Sequence, residues 1–151
     1  MIDKGDIVGW ITKGGRRIPI RAKKDTDAGS KYGYNSIRNN VKKLSSKKYA
    51  DGTYDASTLD PIEYKNGYQV TYCQIGDKYT TAEHDELIKD FLRFTDDGKV
   101  SLGKFGGTPE HSFHFRSRKK AVEYAKKHNQ VSIWDWENGE EIPTGGTGRR
   151  D

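Results

Sequence analysis

Tyr68-Gln-Val-Thr-Tyr-Cys-Gln-Ile75 alternates bulky and polar side chains. As a strand it puts Tyr68, Val70 and Tyr72 on one face and Gln69, Thr71, Cys73 and Ile75 on the other. From this strand the chain reads in a fixed order to Glu137. A helix follows, with Thr80 as N-cap, Glu83 completing a capping box, and Leu87, Ile88, Phe91 and Leu92 as its apolar stripe; Asp96-Asp97-Gly98 ends it. Val100 to Phe105 alternates as a second strand. Gly106-Gly-Thr-Pro109 turns the chain into a third, Glu110 to Arg116, with His111, Phe113 and Phe115 on one side and Ser112, His114 and Arg116 on the other. A second helix spans Ser117 to about His128, and Val131-Ser-Ile-Trp-Asp-Trp136 is the fourth strand. The order strand, helix, strand, strand, helix, strand predicts an α+β, ferredoxin-like βαββαβ domain. It would be a four-stranded antiparallel sheet with two helices on one face.

The flanks divide the chain further. Residues 1–22 are expected to form an N-terminal β-hairpin, Ile7 to Thr12 and Arg16 to Arg21 about the turn Lys13-Gly14-Gly15, with Pro19 marking an edge strand. Residues 23–60 read as a basic polar linker in which Ser36 to Lys48 forms a short helix on Ile37, Val41 and Leu44. The ferredoxin-like domain then occupies 61–143. Residues 144–151, rich in Gly, form a flexible tail.

Composition bounds the function. Of 151 residues, 32% are hydrophobic and 32% charged, and mean hydropathy is −0.99, too little apolar surface to order every segment, so the core is expected mainly in the second half. The formal charge of +5 is uneven: residues 1–60 hold 13 Lys+Arg against 7 Asp+Glu, while 61–151 hold 14 against 15. The basic arm suits loose phosphate contacts or a solvated linker. Arg16, Arg17, Lys42, Lys43, Lys47 and Lys48 are its candidate nucleic-acid contacts. One cysteine, Cys73, excludes an internal disulfide and a multi-cysteine zinc site. Without a leader-like or membrane-spanning run the chain reads as soluble and cytosolic, with no membrane role.

Function is expected on the sheet face opposite Phe113 and Phe115. That face collects Thr71, Cys73, Ser112, His114, Arg116, Trp134 and Trp136, and two indoles beside a histidine and an arginine make a recognition platform. The competing arrangement has the hairpin or arm lying across this face and burying both tryptophans. Arg116-Ser117-Arg118-Lys119-Lys120 opens the second helix with positive charge against its dipole, a place for a partner's carboxylates, for phosphate, or for solvent alone. Thus Trp134, Trp136, His114, Arg116, Arg118, Lys119 and Lys120 are the candidate partner-binding residues. Catalysis is not expected. His111 and His114 point to opposite faces, no phosphate-binding loop has the required spacing, and Asp135 reads as a local cap. No cofactor or metal is called for. An enzyme using His114 with Cys73 would require an unusually reactive thiol.

Two resemblances add to this. The stretch Ser112-Phe-His-Phe-Arg-Ser-Arg-Lys-Lys-Ala-Val-Glu-Tyr-Ala-Lys-Lys-His-Asn129 resembles the third strand and second helix of RNA-recognition motifs, which implies RNA binding. It departs from them where their stacking aromatics face outward, and Glu110-His111 stands where they carry a basic residue and Gly. Gly9-Trp-Ile-Thr-Lys-Gly-Gly-Arg-Arg-Ile-Pro-Ile20 is similar to hairpin segments of virion-associated and other accessory proteins of tailed phages. Thr53-Tyr-Asp, Pro61-Ile-Glu-Tyr64, Gly67-Tyr-Gln-Val70 and the Val131 to Trp136 strand look like pieces of small proteins from phages of Gram-positive hosts. That likeness implies a non-catalytic phage or prophage accessory protein. Its expected partner is a protein of phage or host origin, a defence factor included, with RNA or DNA as the rival.

Overall fold

The computed structural model describes residues 6–22, 32, 34–71, 86, 88–89, 92, 95, 97–105 and 109–147. Their backbone forms nine strands and two named helices. In chain order these are β1 (Ile7–Lys13), β2 (Arg16–Arg21), α1 (Tyr34–Leu44), β3 (Gly52–Asp55), β4 (Ile62–Tyr64), β5 (Tyr68–Thr71), β6 (Ser101–Lys104), β7 (Glu110–Phe115), α2 (Arg118–Lys127), β8 (Ser132–Asp135) and β9 (Glu140–Pro143). Residues 86, 88, 89 and 92 are also helical, whereas the cap expected at Thr80 and the strand residues beyond Thr71 lie outside the described residues.

The expected ferredoxin-like fold, a four-stranded sheet with two helices on one face, is not what forms. The protein is mostly β: a three-stranded antiparallel sheet in the order β2-β1-β4, and a six-stranded antiparallel sheet in the order β3-β6-β7-β5-β8-β9. The four strands read from alternation are the middle of the large sheet. Two short strands extend it at the edges, β3 against β6 and β9 against β8. An edge strand pairs on one side only, so four residues with one inward apolar side chain suffice. Tyr54 and Ile142 supply it.

Residues facing each other across antiparallel strands share a face, so register sorts the large sheet into two surfaces. Tyr54, Leu102, His111, Phe113, Phe115, Val70 and Ile133 lie on one. There α2 buries Ala121, Tyr124 and Ala125, with the Tyr124 ring 5.5 Å from Phe115. Ile37 and Leu44 of α1 are fully buried in the same core. Ser117 caps α2 by accepting from the Lys120 amide, and Asn129, at φ +56°, turns the chain out of it. After β9 the chain stays tied to the end of α2: Thr144 N donates to Val131 O, Thr144 Oγ1 to Gln130 O, and Gly146 N to Gln130 O.

The small sheet has its own cluster, Val8, Ile11, Ile20, Ala22, Ile62 and Tyr64. Strict alternation cannot bury both Val8 and Ile11; a register shift between Ile7 and Gly9 turns Val8 inward. Gly9 lies so close to β4 that a Cβ would sit 2.6 Å from Glu63 O. The chain bridges the two sheets at Tyr54 and Pro61, and then runs into β4, which pairs with the hairpin.

Candidate functional site

The second face of the large sheet carries Thr53, Gly103, Ser112, His114, Gln69, Thr71, Trp134 and Glu141 by register. At one end the small sheet covers it. The Tyr64 ring stacks on His114 at 3.8 Å and 8°, and meets Trp136 edge-on at 5.5 Å. His114 is completely buried. Its Nε2 lies 2.7 Å from Asn66 O, a carbonyl that can only accept, so Nε2 carries the proton, and burial pulls the imidazole pKa down to about 4. Gly67, at φ +87°, leaves room for the ring: a Cβ there would sit 2.5 Å from His114 Nε2. His114 is therefore an element of the intersheet packing and not of a contact surface.

Beneath Tyr64 lies a buried polar cluster. Its hydroxyl donates to Asp97 Oδ2 at 2.5 Å, and the Lys99 amide donates to Asp97 Oδ1. Tyr32 donates to the Asp55 carboxylate, which also pairs with Lys99 Nζ at 3.5 Å. Burial raises the pKa of Tyr64, Tyr32 and Asp97, the last in spite of the Tyr64 hydroxyl that favours its charge.

Beyond this covered end the face is open. A groove of about 310 Å³ runs over it, walled by Phe105, 73% exposed, and Trp134, 37% exposed, with Trp136 half-buried at one side. Its floor is neutral and polar: Thr53, Gln69, Thr71 and Ser112. The Trp136 indole N–H donates to Gln69 Oε1 at 3.0 Å, and Gln69 Nε2 donates to Ser112 Oγ at 2.8 Å, which fixes the orientation of the amide. Glu141, directly opposite Trp134, is the one charged residue among the described residues of the lining.

The expected site residues are thus divided. Trp134 and Trp136 share the groove face; His114 is sealed beneath Tyr64, and Arg116 reaches Asp6 at 3.6 Å. Arg118, Lys119 and Lys120 belong to α2, on the far layer of the sheet, where Lys120 pairs with Glu123. Asp135 is a local cap: it accepts from the Glu137 and Asn138 amides and from Asn138 Nδ2, the last of which does most to lower its pKa. Arg16 and Arg17 stand at the hairpin tip, with Arg17 4.1 Å over the Trp10 ring and 3.6 Å from Glu63. Lys42 and Lys43 occupy the last turn of α1, where positive charge suits the helix dipole, and Lys47 and Lys48 follow it. Cys73 lies outside the described residues. Phe105 and Glu141 line the groove and are not among the expected site residues. Alternation carries the signal for Phe105, which shares the parity of Ser101 and Gly103 and not that of the inward Val100 and Leu102, whereas β9 has no alternating run to mark it. A signal for Glu141 exists, because residues 129–148 contain Asp135, Glu137, Glu140 and Glu141 and no Lys or Arg.

Among the described residues no group of three or more His, Cys, Asp or Glu side chains is placed to hold a metal, and no helix is long and apolar enough to cross a membrane. No family model, curated protein or solved structure matches this chain.

Proposed function

We propose that this is a non-catalytic binding module that takes a segment of a protein partner in the groove between Phe105 and Trp134. The observation that carries the reading is the pairing of two solvent-exposed aromatic walls with a neutral hydroxyl and amide floor, on the part of the face that the small sheet leaves uncovered. Rigid rings bury area at low entropic cost, and the Ser, Thr and Gln groups orient a peptide through hydrogen bonds. A nucleic-acid strand would need cations along its path. Among the described residues the lining has none, and the basic residues named above stand apart from it on the hairpin, on α1 and on α2. If the likeness to tailed-phage accessory proteins extends to function, the partner is a virion component or a host factor.

The test is selection from a displayed peptide library against the full immobilised chain, run beside binding of a fluorescent poly-uridine oligomer. Selected peptides should bind Trp134→Ser and Phe105→Ser at least tenfold more weakly than wild type, by the usual cost of losing an aromatic anchor. Peptides that bind both variants undiminished would refute the groove. Oligomer binding that competes with the peptides and falls steeply with salt would put nucleic acid in their place.

A further inference from the structure

The small sheet contains a worked example of what the groove lacks. Trp10 on β1 and Glu63 on β4 are direct cross-strand partners, so their side chains stand together on one face. Arg17 comes from β2, opposite Thr12 and diagonal to Trp10. Its guanidinium lies 4.1 Å above the indole, and one of its nitrogens is 3.6 Å from the Glu63 carboxylate. The combination is chemically coherent. A planar cation stacks on the ring and directs its in-plane N–H groups at the acid beside it.

The large sheet repeats two thirds of this device. Trp134 on β8 and Glu141 on β9 are again direct cross-strand partners, with both side chains exposed. The strand on the other side of Trp134 is β5, where Gln69 is its partner. The same-face positions flanking Gln69 are Gly67 and Thr71, and neither can supply a charge. Where the small sheet seats an arginine, the large sheet has open volume. The surroundings agree in sign: Glu137 and Glu140 are exposed on the same hairpin, and residues 129–148 carry four acids and no Lys or Arg in a chain of net charge +5.

We infer that the Trp134–Glu141 pair is a receptor for an arginine side chain of the protein partner, the guanidinium stacking on the indole and pairing with the carboxylate as Arg17 does on Trp10 and Glu63. The inference rests on the groove being the binding site and names the chemistry that the groove selects. Lysine is the weaker ligand, because an ammonium offers neither the flat face nor the fork.

Three blocked pentapeptides, Gly-Ser-X-Ser-Gly with arginine, lysine or citrulline at X, are titrated at low salt into the 15N-labelled full chain. Citrulline keeps the planar shape and removes the charge. The arginine peptide is expected to shift the Trp134 indole N–H and the β8 and β9 amides, and to bind roughly tenfold more tightly than the citrulline peptide, with lysine between them. Glu141→Gln, a change at an exposed edge position, should erase most of that advantage, and Trp134→Leu should remove the rest. Equal binding of the arginine and citrulline peptides overturns the inference, as does an arginine preference that Glu141→Gln leaves intact. If library-selected peptides still require Trp134 and Phe105 but show no preference for arginine, the inference fails and the groove stands. If they ignore both aromatics, the groove fails as well.

Discussion

His114 is held neutral by its position: Tyr64 covers one face of the ring, Asn66 O takes the Nε2 proton, and burial pulls its pKa from 6.5 to about 4. In the unfolded chain the same imidazole titrates at its ordinary value, so between these two values the unfolded state binds more protons. Stability then rises with pH: the contribution is present above about 6.5 and is lost as pH falls toward 4. The difference between pH 7.5 and pH 5 is about 2 kcal/mol, an order-of-magnitude figure from the separation of the two pKa values. Asp97 works in the opposite sense: burial raises its pKa, so from the ordinary carboxylate value upward the folded state holds more protons than the unfolded chain, and this contribution offsets part of the His114 effect. Urea denaturation at pH 7.5 and 5 should show the loss in wild type and a much flatter response in His114→Gln. Gly67 guards the same ring. Gly67→Ala meets both a positive φ and the His114 imidazole, and should lower stability by about 2–3 kcal/mol, read as a shift in the urea midpoint at unchanged slope.

At the scale of elements, what the sequence discloses depends on how locally a strand or helix is specified. The hairpin β1–β2, strands β5 to β8 and helix α2 are legible because each has its own period and its own turn or cap: Gly14-Gly15 between β1 and β2, and Ser117 ahead of α2. Strands β3, β4 and β9 have no longer alternating run around them, as β6 has in Val100 to Phe105 and β8 in Val131 to Trp136, and β3 and β4 find their partners far along the chain. Only the pairing of β4 with β1 shows that Tyr64 covers His114, and only the pairing of β9 with β8 brings Glu141 beside Trp134. The opposition of the phenylalanines and the indoles was legible, since it follows from parity within β7 and β8. Asp135 provides a test of how β9 is placed. Its carboxylate holds the turn from β8 into β9 through the Glu137 and Asn138 amides and the Asn138 side chain. Asp135→Ala should cost about 1–3 kcal/mol and raise hydrogen exchange of the β9 amides before that of β7. If β9 stays as protected as β7, the turn does not control the edge that carries Glu141.

Across the whole molecule, the two sheets share one surface unequally, and that division separates packing from recognition. Trp136 faces the small sheet: its ring meets Tyr64, its N–H is committed to Gln69, and it packs against the Val8, Ile11 and Ile20 cluster. Trp134, two residues earlier on the same face, has no such cover. Polar replacement of the two should therefore give opposite results. Trp136→Ser removes buried ring area and leaves Gln69 Oε1 without its donor, for a loss of about 2–4 kcal/mol, and it loosens the small sheet. Trp134→Ser sits at an exposed position and should change stability by no more than about 0.5–1 kcal/mol while weakening peptide binding. Thermal unfolding of both variants beside wild type, with library-derived peptide affinities measured on the same samples, reads both quantities. Should Trp134→Ser destabilise as much as Trp136→Ser, its exposed ring is part of the core's support, and its loss of binding would then report unfolding and not the removal of a contact.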